Sequence, residues 1–548
     1  MCGIFALLNI QNSSQEIEDN FKKGWKRGPE HSVLTYDYDK IALGFHRLAI
    51  NGLNIESNQP IIHNNIVLIC NGEIYNYLSL YKSIGVVPNT ESDCEVIIHL
   101  YLKYGIEQTL IMLDGVFAFV LIDNANEKIY IARDPLGIRP LYKMKNSYLY
   151  GFASELKTLE YFYNKNANNR WIEQFEPGTY SIYGKENTIW SPILEHQKYF
   201  LFPVPSTLPK GQGMISNIGD LLKHAVEKRC STTERPVACL LSGGLDSSLI
   251  ASIVANYFVH FKNKQIETYS IGLENSEDIK YAKKVADYIK SKHTEIIITE
   301  KEMFEAIPEV IEAIESYDTT TVRASIGNYL LGKYISKHSE AKVIFNGDGS
   351  DELFGGYLYM NKCKDDVEFD KETRRLLKDI HMYDVLRSDK SISSNGLEPR
   401  TPFLDRTFVS YILSLPPNVR NHNNYENGME KRLLRHAFNI NMLTNKDELQ
   451  FLPNEILYRR KEAFSDGVSS KGRSLYVILQ EYIAEYYNKK ENTNEYQPTI
   501  ELERRYYKEL FDKFFPNCEH ILPYFWMPRY TNAKDPSART LDIYNTDT

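Results

Sequence analysis

The chain has no Cys-x-x-Cys pair, and its seven cysteines are an odd number scattered along 548 residues. That excludes a zinc ribbon or a disulfide frame and points to a reducing compartment, with the cytoplasm as the expected location. No apolar run approaches the roughly 20 residues of a membrane span, and no signal peptide is expected at the start. A basic excess is also missing: the formal net charge is −8, which argues against a nucleic-acid-binding body. No internal repeats occur. What remains is 43% hydrophobic and 25% charged, ordinary for a soluble globular protein and long enough for two or three domains.

One further absence is chemical. Ser242-Gly243-Gly244-Leu245-Asp246-Ser247-Ser248 lies between an apolar strand-like run, Val237 to Leu241, and a buried-helix pattern beginning at Leu249. This order of strand, small-residue loop and helix makes an anion site from free backbone N–H groups. It lacks the lysine of a GxxxxGK[ST] loop. Asp246 among phosphates would require a cation, so Mg²⁺ is expected. The string resembles the pyrophosphate loop of ATP pyrophosphatases, which adenylate a substrate and release pyrophosphate.

The chain starts Met1-Cys2-Gly3. Removal of Met1 would leave a Cys2 whose own α-amine, of pKa about 7.7–8.0, serves as base for its thiol. Arg27-Gly28-Pro29-Glu30 is a turn, Gly44 to Asn51 a strand carrying His46 and Arg47, and Ile66 to Cys70 a strand ending in Asn71-Gly72-Glu73. Ser92-Asp93 suits a helix cap, and Arg133 to Tyr142 closes the set. In this order, over about 190 residues, these motifs resemble the glutaminase domain of class II amidotransferases. That resemblance implies an N-terminal-nucleophile αββα fold. It implies catalysis by Cys2, with Asn71 and Gly72 as oxyanion donors. It also implies glutamine contacts from Arg47, the backbone of Leu48, Ala49, Ile50 and Asn51, and from Asn71, Gly72, Glu73 and Asp93. Arg47 suits an α-carboxylate and Asp93 an α-ammonium. Trp25-Lys26 departs from the family's usual Arg-His.

Residues 191–212 carry Gly, Pro and Ser and read as a linker. Beyond it, helix and strand patterns alternate: a helix over 214–229, the loop, a strand at Glu267–Leu273, a helix at 278–290 and a strand at Thr294–Ile298. The expectation is a doubly wound parallel α/β domain over 213–530 with a helical C-terminal part. Val343 to Tyr357 is a strand entering an acidic, Gly-rich turn, Asn346-Gly347-Asp348-Gly349-Ser350-Asp351-Glu352. Carboxylates this dense need cations. Residues 531–548 read as a disordered tail.

With these clusters the resemblance narrows to glutamine-hydrolysing asparagine synthetases, whose substrates are glutamine, aspartate and ATP. It implies that Leu241, Ser242, Gly243, Gly244, Asp246, Ser247, Ile271, Asn346 and Gly347 contact ATP. Asp246 and Asp351 would hold Mg²⁺, Arg323 and Lys461 would clamp phosphates, and Glu352 would help bind aspartate. Asp348 stands where the family usually has a catalytic glutamate. Alternatives are a related adenylating amidotransferase with another acceptor, such as a β-lactam synthetase-like protein, a synthetase-impaired glutaminase because of Asp348, or an inactive glutamine sensor. No nucleic-acid or membrane partner is expected, and a homodimer is left open.

Overall fold

The computed structural model describes residues 2–38, 40–165, 169–206, 213–426, 428–439, 450–462, 467–469 and 473–545. Alternation with period 2 builds the first domain. In strand Gly3–Leu8, Ile4, Ala6 and Leu8 face inward against Val67, Ile69, Val120 and Ile131 of a second sheet. Phe5 and Leu7 face outward against Ile17 and Phe21 of helix Ser14–Phe21. That helix is fixed at its start by a capping box between Ser13 and Glu16.

Each sheet has six strands. The first runs Arg170–Gln174, Tyr142–Asn146, Leu149–Ala153, Gly3–Leu8, Ile41–Arg47, His31–Tyr38; the second runs Ile189–Lys198, Thr179–Glu186, Lys128–Arg133, Gly115–Asp123, Ile66–Ile74, Ile61–His63. On the outer face of the second sheet, Leu68, Cys70, Phe117 and Phe119 pack against helices Tyr77–Ile84 and Val96–Met112. The layering is helix, sheet, sheet, helix.

The second domain is built on a five-stranded parallel sheet in the order Lys292–Ile297, Glu267–Gly272, Val237–Leu240, Val343–Phe345, Glu398–Arg400. Helices cover both faces. Leu249 and Ile253 of helix Leu245–Lys262 pack with Cys239 and Phe345, while Val322 and Ile326 pack with Ala238 and Ile344. The first strand in sequence lies in the middle, and the strand order reverses between Val237–Leu240 and Val343–Phe345. Beyond the carboxyl ends of those two strands such a sheet opens a ligand crevice. Both ends carry the motifs singled out above. Helices Leu475–Glu491 and Ile500–Phe514 complete the C-terminal part through Leu479, Ile483, Tyr507 and Phe511.

Four details depart from expectation. Strand Ile41–Arg47 ends at Arg47, so Leu48 to Asn51 form a bend rather than strand. Strand Ile189–Lys198 runs into the expected 191–212 linker. It is an edge strand, so the missing N–H of Pro192 is tolerated. The short Glu398–Arg400 strand, also at an edge, carries Pro399 for the same reason. The tail expected to be disordered over 531–548 is folded through residue 545; 546–548 lie outside the described residues. Asp535 is buried and accepts from Arg323 and Gln480, and helix Asp542–Asn545 follows buried Leu541. Its polar composition hides a carboxylate that completes a buried ion pair.

Candidate active sites

The first site gathers around Cys2. The Cys2 amide N lies 3.2 Å from Asn71 Oδ1, and the Cys2 Sγ 3.7 Å from the carbonyl of Leu48. Arg27 Nε donates to the Cys2 carbonyl at 3.0 Å. Asn71 is fully buried in strand Ile66–Ile74, and its Nδ2 points to Ser154 Oγ at 3.4 Å. A Cβ at Gly72 would sit 2.6 Å from the Val116 carbonyl, so no larger residue fits beside Asn71. Burial pushes the Cys2 thiol up, partly offset by the Leu48 hydrogen bond and by Arg47.

Arg47, nearly buried, donates to the Asn54 carbonyl at 2.9 Å, to Asn58 Oδ1 at 2.6 Å and to the Gly52 carbonyl. It thereby shapes the loop beside Cys2. The bend after it is partly engaged: Ala49 N–H donates to Glu30 at 2.7 Å, and the Ile50 carbonyl accepts from Glu234 N–H at 3.1 Å. Glu73 accepts from Asn51 Nδ2 at 2.7 Å and pairs with Arg400 at 3.3 Å. Ser92 caps the turn that presents Asp93, whose carboxylate accepts from Ile74 N–H at 2.6 Å. Burial raises Asp93 to about 6, against the pull of that hydrogen bond. Cys2 with Asn71 and the Leu48 carbonyl, Arg47 with its loop, and Glu73 with Asn51 thus form neighbouring hydrogen-bonded groups around the thiol, and Arg400 arrives at Glu73 from the other domain.

The second site is a cavity of about 190 Å³ at the switch point of the parallel sheet. Leu241, Ser242, Gly244, Asp246, Ser247, Ile271, Asn346, Gly347, Asp348, Asp351, Glu352 and Lys461 all line it. Gly243 does not line it; its φ of +73° makes the turn, and a Cβ there would meet Ala282 N at 2.4 Å. Ser242 Oγ and Ser247 Oγ are 2.9 Å apart across the loop, and helix Leu245–Lys262 points its first turn into the cavity. The two strand ends touch: a Cβ at Gly347 would lie 2.7 Å from Ser247 N.

Lys431, from a segment the motifs do not reach, sits between the acids. Its Nζ is 2.5 Å from Asp246 and 2.6 Å from Asp351, so one cation bridges both carboxylates. Lys461 also pairs with Asp351. Against the cost of burial, these lysines hold Asp351 well below the usual carboxylate range. Asp348 Oδ2 and Glu352 Oε2 are buried without a hydrogen-bond partner among the described residues. Burial and Asp384 raise Asp348 to about 6, with Arg387 opposing. Burial, Asp384 and Asp351 raise Glu352 further. Two hard oxygen donors already sharing one cation, at the mouth of a phosphate-type loop, fit a magnesium ion. No group of three or more His, Cys, Asp or Glu that could hold a metal occurs among the described residues.

Arg323 is the expectation that fails. It is 3% exposed, does not line the cavity, and makes paired bonds of 2.6–2.8 Å to Glu503 and Asp535. Its fork is saturated by carboxylates, leaving nothing for a phosphate. Lys431, Asp384, Arg387 and Tyr357, which donates to Glu352, were not legible as site residues. Lys431, Asp384 and Arg387 come from helices or turns without a chemical motif of their own, and Tyr357 closes the acidic turn without a role that its residue type alone discloses.

A buried thiol network on an αββα domain, joined to a phosphate-type crevice in a doubly wound domain, defines a glutamine amidotransferase coupled to a nucleotide-using synthetase. The glutamine amidotransferase domain family matches residues 1–195, and the asparagine synthase family matches 217–366 and 361–535. The chain is 40% identical over 568 residues to asparagine synthetase [glutamine-hydrolyzing] of Gallus gallus, covering 99% of each. To the protein of the same description from Homo sapiens it is 39% identical over 572 residues, again covering 99% of each. The chain belongs to the family of glutamine-hydrolysing asparagine synthetases.

Proposed function

We propose that this protein makes asparagine and glutamate from aspartate and glutamine, splitting ATP into AMP and pyrophosphate. Cys2, with Met1 removed and its α-amine as base, attacks the glutamine side-chain amide. Asn71 Nδ2 and Gly72 N–H stabilise the oxyanion. Arg47 offers its remaining donors to the α-carboxylate, Asp93 faces the α-ammonium, and Glu73 with the 48–51 backbone fixes the rest of the substrate. The ammonia released must reach the second site inside the protein, because in water it is protonated.

At the second site the aspartate side chain attacks the α-phosphate, giving a β-aspartyl-AMP that ammonia then opens. The 242–247 loop holds pyrophosphate, and Leu241, Ile271, Asn346 and Gly347 lie where the nucleoside would rest. Asp246 and Asp351 would hold Mg²⁺, which supplies charge neutralisation on the phosphates. Lys431 and Lys461 add fixed positive charge there; Glu352 and Asp348 present unpaired oxygens toward the acceptor. No nucleic acid is required. Among the described residues no helix is long and apolar enough to cross a membrane, and we assign the protein to the cytoplasm.

The observation that carries this reading is the meeting of Asp246, Asp351, Lys431 and Lys461 at the mouth of the Ser242–Ser247 loop. Glutamate, AMP, pyrophosphate and asparagine measured together test it. All four should appear when aspartate is present. Glutamate without AMP would instead favour an impaired synthetase, and AMP formation independent of aspartate another acceptor.

A further inference from the structure

Helix Asp384–Ser393 is buried at every residue except Arg387, although most of its side chains are polar. Such a helix holds its place because most of its polar groups have fixed partners, Arg387 Nε and Asp389 Oδ1 being the buried atoms without a hydrogen bond among the described residues, and a buried polar network of this kind is stiff. Its partners divide between the two active sites. Ser388 Oγ accepts from Asn346 Nδ2 at 2.7 Å, and Arg387 and Asp384 pair with each other beside Asp348. One residue further on, Asp389 Oδ2 accepts from Arg27 Nη1 at 2.7 Å, and Ser393 Oγ accepts from the same nitrogen at 2.9 Å. Arg27 Nε donates to the Cys2 carbonyl. Successive helical residues point about 100° apart, and the rise between them is about 1.5 Å. Ser388 and Asp389 therefore look in different directions from one rigid segment, toward different catalytic centres.

We propose that this helix couples the two sites, with Asp389 a positioning residue for Cys2 that acts through Arg27. Ligands that rearrange the contacts of Asn346 and Asp348 bear on Ser388 and Arg387. The helix carries that displacement to Asp389, and Arg27 moves the Cys2 backbone relative to Asn71. Removing Asp389 weakens the link without touching the synthetase cavity, and removing Ser393 as well takes away the helix's second acceptor for Arg27. By linkage the effect on binding is reciprocal: glutamine at the Cys2 site changes ATP affinity by the factor by which ATP changes glutamine affinity.

The test reads Cys2 reactivity directly. The six other cysteines are buried and Cys2 is partly exposed, so iodoacetamide alkylation, located by peptide mass, reports Cys2. In the wild-type protein a non-hydrolysable ATP analogue with aspartate should change the alkylation rate about fivefold or more. Asp389→Asn and Ser393→Ala should each reduce that response, and the double variant Asp389→Ala with Ser393→Ala should abolish it. Ammonia-driven asparagine synthesis should stay within about twofold of wild type in all three. The proposal is overturned if wild-type Cys2 ignores the ligands, if the double variant responds fully, or if all three variants lose ammonia-driven synthesis in parallel with glutamine use. It rests on the two-site reading above. A wild-type protein that makes no asparagine from ammonia fails that reading, whereas one that does, with an unresponsive Cys2, fails this inference alone.

Discussion

Arg400 and Glu73 belong to different domains, yet the guanidinium lies 3.3 Å from the carboxylate, and both groups are buried. Arg400 also pairs with Glu398 at 2.8 Å. Glu73 sits two residues beyond Asn71, so the last strand of the nucleotide-site sheet forms part of the wall around the nucleophile. Burial, Glu398 and Asp93 push Glu73 up, and Arg400 is the cation that opposes them.

Arg400→Gln should therefore strip the charge partner from Glu73. Truncating one member of a buried, hydrogen-bonded pair costs about 2–5 kcal/mol. We expect a lower melting temperature and a KM for glutamine raised by about tenfold, which is about 1.4 kcal/mol of binding. Thermal melts and glutaminase initial rates check this; an unchanged KM would remove Glu73 from the glutamine site.

Asp93, raised to about 6 by burial, gives a pH signature. Above that value it is ionised and can face the substrate ammonium; as pH falls through about 6 it takes up a proton and the attraction is lost. The KM for glutamine should rise on acidification, with kcat less affected. Asp93→Asn should show a high KM that no longer varies over this range.

These residues differ in how legible they were in the sequence. Asn71, Gly72, Asp93, Asp246 and Asp351 were legible because each stands in a short string whose chemistry is local: a strand end, a capped turn, a glycine loop. Lys431 was not, because its meaning comes only from the carboxylates it bridges, the nearer of them 80 residues back in the chain, and its own neighbours carry no pattern. Arg323 was legible as a cation at a helix start but misread in role. Its partners lie 180 and 212 residues further on, and the second of them, Asp535, stands in the polar tail expected to be disordered. The parallel sheet followed from alternating patterns, while its edge strand at Glu398–Arg400, three residues around a proline, was too short to register.

Arg323→Met tests that reassignment. Two buried carboxylates, Glu503 and Asp535, would lose their cation, and breaking such a pair costs about 3–5 kcal/mol. The expected result is a marked loss of thermal stability with the KM for ATP unchanged in the protein that remains folded. A raised KM for ATP at normal stability would restore Arg323 to the phosphate site.

Asp348→Glu probes the departure from the family's usual glutamate. The cavity presents an unpaired Asp348 oxygen, and one added methylene carries the carboxylate further into it. Pyrophosphate release, assayed with ATP and aspartate, should be preserved or faster. Since misplacement of about 1 Å can cost about 10²-fold, a fall of that size would mean that the pocket is built around aspartate.

The central claim is that one polypeptide holds two separate catalytic centres, one releasing ammonia and the other consuming it. Cys2→Ala addresses it most directly, with asparagine formation assayed first from glutamine and then from ammonium salts. The account predicts that synthesis from glutamine disappears while synthesis from ammonia, with its AMP and pyrophosphate, stays near the wild-type rate. Loss of both, or continued use of glutamine, would contradict it.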